Sequence, residues 1–270
     1  MERKNDPTSP FLAPPPKEIP LPKAPLVRVI AQVRFPPDLR LEDLRRIGPF
    51  QDKIRSSYPE LMIEEGPLHP GPAGPPLPAQ KRTTYRFLDP TGKWRASLSH
   101  DFLALETKAY GSRSDFLARL HSLLVALQEI TKTETIHRTG IRYIDRVREK
   151  DLTRIRDILR PEMATELNTF MHTLAQHAIH DVLLSLPGKE GIQLRSRWGF
   201  LPPNKTVDPN ALEPVPEKSW ILDTDAFKNA KIPFNPAKIS ETMILLAEKS
   251  YTFFRWAVTD RFLELYGGTP

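Results

Sequence analysis

The sequence predicts an α+β protein in which an antiparallel sheet carries helices on one face. Short segments alternate apolar with polar residues, a pattern typical of half-buried strands. Longer segments with an apolar stripe at helical spacing follow them. The order of strand, helix, strands and helix occurs twice, so we predict two similar β-α-β-β-β-α halves.

Composition limits the classes of protein that this chain can belong to. Its 270 residues contain no cysteine, which excludes disulfides, thiolate zinc sites and a cysteine nucleophile. We see no apolar leader and no run of about 18 apolar residues, so we expect a cytoplasmic protein without membrane contact. The formal net charge of +6 favours anionic partners only if the charge is concentrated on one surface.

The chain divides into an arm and two halves. Residues 1–24 contain seven prolines and few large apolar side chains, which predicts a disordered arm. We place the first half at 25–132 and the second half, with a long C-terminal helix, at 133–270. The shared order of their elements is compatible with duplication and equally with two unrelated α+β halves.

The first half begins with a strand at 27–35, whose alternate residues are apolar. A helix over 38–58, divided at Gly48-Pro49, a short strand at 61–63 and a proline-rich exposed loop over 66–79 follow. A three-stranded meander then covers 83–107. Ser112 is expected to cap the next helix, whose stripe of large apolar residues faces the core.

The simplest registers of the meander place Leu88 opposite Lys93 and Ser99 opposite Phe102. They leave one apolar face and one polar face, and on the polar face they align Arg86, Arg95 and Glu106. The polar face of the meander is therefore expected to be basic.

The second half repeats this order. We predict a strand from residue 139, a helix capped by Asp151, a helix near 162–179 and strands at 181–186, 191–198 and 219–225. Asn235 and Pro236 begin the C-terminal helix, which is expected to continue to Leu265.

Three segments resemble an uncharacterised, sporadically distributed prokaryotic family of proteins of about this length, for which no activity is established. They are residues 25–37, residues 94–107, which include the run SLSHDFLALET, and residues 140–146. The resemblance implies a prokaryotic, cytosolic protein, and a patchy distribution fits mobile or defence-linked genes. It assigns no functional residue.

The main functional prediction is a sheet face lined with arginines. If the halves join edge to edge, their polar faces form one platform that presents Arg28, Arg34, Arg86, Arg95, Arg142, Arg146, Arg195 and Arg197. Guanidinium groups bind carboxylates and phosphates through paired hydrogen bonds, so we expect a non-enzymatic binding protein for an acidic partner or ligand. The alternative is a nucleic-acid-binding protein. The plainer interpretation is a solvated face whose arginines pair with Glu106, Asp145 and Asp223.

Three smaller groups of residues are compatible with a catalytic or metal-binding site. Asp89, Glu106 and Lys108 have the order of residues in a metal-dependent nuclease, but an ion pair between Glu106 and Arg95 is favoured. A histidine group (His172, His177 and His180) could share a metal ion, although solvated histidines explain it better. Asp223 and Asp225 share a strand face, where ion pairs with Arg195 or Arg197 are the simpler reading. We therefore predict no catalytic residue, metal or cofactor.

Overall fold

The computed structural model describes residues 9–67, 81–164, 174–188 and 190–270. Within these ranges the chain is a mixed α+β protein with nine strands in one antiparallel sheet. The strands are β1 (Leu26–Arg34), β2 (Glu60–Pro67), β3 (Lys81–Leu88), β4 (Trp94–Ser99), β5 (Phe102–Thr107), β6 (Thr135–Arg148), β7 (Ala178–Ser185), β8 (Ile192–Leu201) and β9 (Ser219–Pro233). Their order in the sheet is β2-β3-β4-β5-β1-β6-β9-β8-β7.

Five α-helices lie in the described part of the chain. They are α1 (Leu44–Ile54), α2 (Arg113–Ile130), α3 (Ile155–Ile158), α4 (Pro236–Ala257) and α5 (Asp260–Leu265). In these same ranges no helix has the length and apolar character needed to cross a membrane.

The chain forms two compact units that are discontinuous in sequence. Unit 1 comprises Met1–Val29, Ile141–Lys228 and Leu245–Pro270. Unit 2 comprises Ile30–Gly140 and Asn229–Ile244. Because these bounds fall inside β1, β6 and β9, each of these three strands contributes residues to both units.

The first strand follows the predicted pattern, whereas the helix after it differs from the prediction. Val29, Ala31 and Val33 alternate along β1 and are fully buried, as a half-buried strand requires. The helix expected over 38–58 is shorter, with a 3₁₀ turn at Leu39–Glu42 followed by α1. The predicted division at Gly48-Pro49 is wrong, because α1 continues through this pair. Most of the predicted loop over 66–79 lies outside the described residues.

Both helices that follow strands in unit 2 pack on the apolar face of the meander. Phe50 of α1 contacts Phe87 with ring centroids 5.5 Å apart, and Phe116 of α2 contacts Trp94 at 5.8 Å. The Ser112 hydroxyl accepts the backbone N–H of Asp115 at 3.2 Å, so the predicted cap of α2 is confirmed.

The register of the meander was predicted correctly on one side and wrongly on the other. Between β4 and β5, Ser99 lies opposite Phe102 and Arg95 lies opposite Glu106, as predicted. Between β3 and β4, Leu88 lies opposite Arg95 and not Lys93. The Asp89 carboxylate accepts the N–H groups of Lys93 (2.9 Å) and Trp94 (3.0 Å), which holds Lys93 in the turn. A shift of two residues leaves every side chain on its predicted face.

In the second half, the strands are longer than predicted and one helix is shorter. β6 begins at Thr135 and β9 extends to Pro233. Asp151 does not cap a helix but lies inside a 3₁₀ segment at Glu149–Arg154 that precedes the short α3. Much of the helix predicted near 162–179 falls on residues 165–173, outside the described part, and β7 already begins at Ala178.

The C-terminal helix begins as predicted but is interrupted. The Asn235 side chain accepts the N–H of Lys238 at 3.1 Å, and Pro236 is the first residue of α4. Val258 then forms a β-bridge with Leu159, and the N–H of Thr259 donates to the carbonyl of Ile158. These contacts divide the predicted helix into α4 and α5.

The described part of the predicted arm is held against the C-terminal helices of unit 1. The N–H of Ile19 donates to the Tyr251 hydroxyl at 2.9 Å, and the N–H of Lys23 donates to the carbonyl of Tyr266 at 3.2 Å. Ile19 and Leu21 lie so close to Gly268 that a Cβ there would overlap them. Residues 19–23 therefore differ from the disordered arm expected over 1–24.

Candidate functional site

All eight predicted arginines lie in the described part of the chain, and each has a hydrogen-bonded or ionic partner. Six of them, namely Arg34, Arg86, Arg95, Arg142, Arg195 and Arg197, pair with carboxylates. The other two, Arg28 and Arg146, donate to backbone carbonyls. The exposure of these arginine side chains differs from one to another.

Unit 1 contains a network of two arginines and two aspartates around the buried Asp223, which we call the Asp223 network. The Asp223 carboxylate accepts Nε (2.6 Å) and Nη2 (2.8 Å) of Arg142 and also Nη2 of Arg197 (2.6 Å). Asp208 accepts Nη1 of Arg142 at 2.8 Å. The register places Arg197 opposite Asp223, so the predicted ion pair across the sheet is confirmed.

The electrostatics of this network favour the charged forms. Burial alone would lower the pKa of Arg142, but hydrogen bonds and charge attraction from Asp223 and Asp208 raise it. Burial likewise opposes ionisation of Asp208, yet Arg142 holds the pKa of Asp208 below its usual range. The pKa shifts of Arg142 and Asp208 therefore favour their charged forms, and the network consists of structural ion pairs.

The segment between β8 and β9, residues 202–218, covers the arginines of unit 1, and we call it the cover loop. Its backbone carbonyls accept guanidinium hydrogen bonds at three positions: Asn210 from Arg28, Glu213 from Arg146 and Val207 from Arg197. Asp208 of the same loop binds Arg142. Four of the predicted arginines thus contact a segment of their own chain, which the alternation of residues in the strands could not reveal.

Arg195 differs from its neighbours because it is exposed. Its Nε and Nη2 bind the two oxygens of Asp181 at 2.8 and 2.5 Å, and 53% of its side-chain surface is accessible. The hydrogen bond from Arg195 lowers the pKa of Asp181. Exposed pairs of this kind contribute little to stability.

In unit 2, two of the predicted arginines pair along the meander. Arg86 binds Glu64 and Arg95 binds Glu106, each with a closest approach of 2.6 Å. Both arginine side chains are about a quarter exposed. The pairing of Glu106 with Arg95, expected from the register, is confirmed.

Arg34, the most exposed of the predicted arginines in unit 2, joins Arg82 in a cluster at the β4–β5 turn, which we call the Asp101 cluster. Arg34 donates to Asp101 at 2.8 Å, and Arg82 donates to the same carboxylate. Arg82 also lies 4.9 Å from the centre of the Phe102 ring, as in a cation–π contact. Arg34 has 44% of its side chain exposed and Arg82 has 23%. Two guanidinium groups here share one carboxylate.

Arg82 was not among the predicted residues. It occupies the same face of β3 as Arg86, four positions earlier, so alternation along the strand could have found it. We missed it because the strand was expected to begin at residue 83.

His100 lies beside the Asp101 cluster without adding charge to it. Its Nδ1 atom is 3.7 Å from a carboxylate oxygen of Glu42. Burial lowers the pKa of His100, and the positive charge of Arg82 lowers it further. The positive charge of the cluster therefore comes from its arginines.

The residues of the nuclease hypothesis have structural contacts. The Asp89 carboxylate accepts the Thr91 hydroxyl at 2.7 Å in addition to the N–H groups of Lys93 and Trp94. These hydrogen bonds outweigh burial and lower the pKa of Asp89. Asp89 therefore stabilises the turn between β3 and β4, and Glu106 forms an ion pair with Arg95. Within the described residues no group of three or more potential metal ligands occurs.

The histidines do not share a helix as predicted. His172 lies outside the described residues, and His177 immediately precedes β7. His180 lies in β7 and stacks on Trp198 at 5.1 Å between ring centroids. The prediction of a helix through residue 179 is therefore wrong at its C-terminal end, because this segment pairs with β8.

Asp145 is buried, like Asp223, but its environment differs. Its side chain is enclosed in unit 1, and burial alone raises the pKa of this carboxyl to about 7. The plainer interpretation of the arginine face therefore holds for Glu106 and Asp223, whereas Asp145 behaves as a buried acid.

Comparison of the chain with protein-family models, with curated proteins and with solved structures gives no match.

Proposed function

We propose that this is a non-enzymatic binding protein that presents arginines of its sheet to an acidic partner, with the Asp101 cluster of unit 2 as a principal contact. The observation that carries the proposal is the sharing of one carboxylate by Arg34 and Arg82. One carboxylate leaves hydrogen-bonding capacity on two guanidinium groups, and both are accessible. A carboxylate of a partner would accept hydrogen bonds from the remaining N–H groups of Arg34 and Arg82.

The chemistry of the arginine contacts favours an acidic polypeptide over a nucleic acid. In unit 1 the cover loop, a proline-rich segment carrying Asp208, Glu213 and Glu217, already binds arginines through carbonyls and a carboxylate. Aromatic side chains, on which unpaired bases stack, are few beside the arginines; Phe102 is the one in contact with Arg82. An extended acidic segment is therefore the occupant that these contacts match best.

Binding can be tested by fluorescence anisotropy with a labelled oligoglutamate peptide and with single- and double-stranded oligonucleotides. The double variant Arg34→Ala/Arg82→Ala is expected to weaken peptide binding about tenfold or more, the loss of roughly one charged hydrogen bond. The matched control is Arg45→Ala/Arg46→Ala, which removes the same charge from exposed positions of α1. The control is expected to change the Kd less than twofold.

Three results would contradict the proposal: no saturable peptide binding at low salt, equal weakening in both double variants, or preferential binding of oligonucleotides. In the last case a steep loss of affinity with salt that depends on Arg34 and Arg82 would instead support nucleic-acid binding. Circular dichroism of each variant shows whether the fold is retained.

We also propose that the two strand sets derive from one duplicated unit. In each set the first strand lies beside the last one, since β1 neighbours β5 and β6 neighbours β9. The remaining strands then follow in reverse order, and the first set has one strand more.

A further inference from the structure

Arg146, in β6 of unit 1, has a buried guanidinium group with only one of its nitrogens bonded. Only 5% of the residue is exposed. Its Nη1 donates to the carbonyl of Glu213 in the cover loop at 2.6 Å. Its Nε and Nη2 are buried and have no hydrogen-bond partner in the described part of the chain. These two nitrogens form one edge of the planar group.

The same edge binds a carboxylate in three other arginines of this chain. Nε and Nη2 of Arg142 bind the two oxygens of Asp223, and those of Arg195 bind Asp181. Nε and Nη2 of Arg40 bind Asp38 at 2.8 and 2.6 Å. Arg146 therefore offers a donor pair that elsewhere in the molecule holds two oxygens of one anion.

The surroundings of Arg146 make an uncompensated charge costly. Burial lowers the pKa of Arg146, and the nearby Arg148 lowers it further, while Glu217 and Glu213 oppose this effect. The carboxylate of Glu217 is bonded to Arg148 at 3.1 Å. Arginine stays protonated in proteins, so an anion that contacts the Nε/Nη2 edge would offset a large desolvation cost.

We propose that the Nε/Nη2 edge of Arg146 binds a small oxyanion, a carboxylate or phosphate group, beneath the cover loop. The inference goes beyond the proposed function, because Arg146 is buried in unit 1 whereas the Asp101 cluster is exposed in unit 2. The segment above Arg146 contains no helix or strand, so its local opening would leave the ladder between β8 and β9 intact. The two proposals are therefore tested independently, since loss of anion binding at Arg146 leaves peptide binding at the Asp101 cluster unaffected, and the reverse also holds.

The test is a titration of the full chain followed through the arginine Nε–H signals in ¹⁵N–¹H correlation spectra. Sodium phosphate and sodium acetate are added separately, with ionic strength held constant by sodium chloride. One arginine signal, identified by its loss in Arg146→Lys, is expected to shift saturably. A shift with phosphate alone identifies a phosphate site, and a shift with acetate alone identifies a carboxylate site. A shift with both anions shows that the site accepts either group.

Equilibrium dialysis with radiolabelled phosphate or acetate, whichever shifts the signal, measures affinity and stoichiometry. We expect one anion per chain at this site, with binding at least about tenfold weaker in Arg146→Lys, because lysine keeps the charge but loses the paired donors. Arg148→Lys, on the same strand and 46% exposed, is the matched control and is expected to change the Kd less than twofold.

The proposal is overturned if neither anion shifts the Arg146 signal saturably, or if all arginine signals shift together as in general ionic screening. An Arg146 signal that responds only after Glu213→Gln would show that Glu213 occupies the edge, which also overturns it. If Arg146→Lys fails to fold, through-bond correlation to the Arg146 backbone assigns the signal in the unmodified protein.

Discussion

At the scale of single residues, two buried aspartates of unit 1 have different surroundings. Asp223 accepts hydrogen bonds from Arg142 and Arg197. For Asp145, burial raises the pKa to about 7. The sequence places both in strands with alternating apolar residues, so it did not distinguish them. The difference arises from which strands and loops surround each carboxyl.

Asp145→Asn is expected to change the pH dependence of stability. Below about pH 3 the Asp145 carboxyl is largely neutral in both the folded and the unfolded chain. Between the ordinary pKa of 3.8 and about 7 the unfolded chain ionises while the folded protein keeps its proton, so rising pH destabilises the fold. By pH 8 this penalty is about 4 kcal/mol, and the asparagine variant does not have it.

Urea unfolding of both proteins at pH 4 and pH 8 measures this effect. The free energy of unfolding of the variant, relative to that of the unmodified protein, is expected to rise by a few kcal/mol between the two pH values. Other titrating groups are common to both proteins and cancel in the comparison. A difference that stays the same at both pH values would show that Asp145 ionises normally in the folded protein.

At the scale of elements, strands and helices were predicted well wherever local chemistry defines them. The apolar alternation of β1, the Ser112 cap of α2 and the Asn235 cap of α4 all appear as expected. Two errors have different causes. α4 ends where Val258 pairs with Leu159, a contact distant in sequence. The β3–β4 register differs from the simplest one at a local contact, where the Asp89 carboxylate accepts the N–H groups of Lys93 and Trp94.

Asp223→Asn is expected to weaken the sheet because Asp223, in β9, joins arginines of β6 and β8. The variant leaves two largely buried guanidinium groups without their shared charge. Because Arg142 keeps Asp208 as a partner, the expected cost is about 3 kcal/mol. The matched control is Asp181→Asn, which breaks an exposed two-point pair with Arg195 and should cost less than about 1 kcal/mol. Urea unfolding of the two variants compares these costs. Similar losses of unfolding free energy in the two variants would contradict the expectation that the pairs of Asp223 stabilise the fold more than the exposed pair of Asp181 does.

At the scale of the whole molecule, early and late segments of the sequence meet in unit 1. Ile19 and Tyr251 are separated by 232 positions, yet they share a hydrogen bond. Composition alone suggested a disordered arm, because prolines lack amide donors. The contacts that order residues 19–23 come from α4 and α5, which composition does not reveal.

Removing residues 1–24 is expected to destabilise the protein, whereas removing residues 1–16 should have a smaller effect. The hydrogen bonds of Ile19 and Lys23 and the packing of Ile19 and Leu21 on Gly268 all lie within residues 17–24. Their loss costs about 2 kcal/mol or more. Thermal unfolding of the two shortened chains and the full chain measures this. Equal midpoints for both shortened chains would show that residues 17–24 do not stabilise unit 1.

The sequence by itself determined the α+β class, most strands, the caps of two helices and the face of each strand that carries arginines. These features depend on residue spacing and on hydrogen bonds between near neighbours, which are local properties of the chain. Only the tertiary structure decided which of those arginines are covered. Arg28, Arg142, Arg146 and Arg197 bind the cover loop, whereas Arg34 and Arg82 share Asp101 at an accessible turn. Where a loop folds back depends on contacts distant in sequence, and residue spacing carries no record of them.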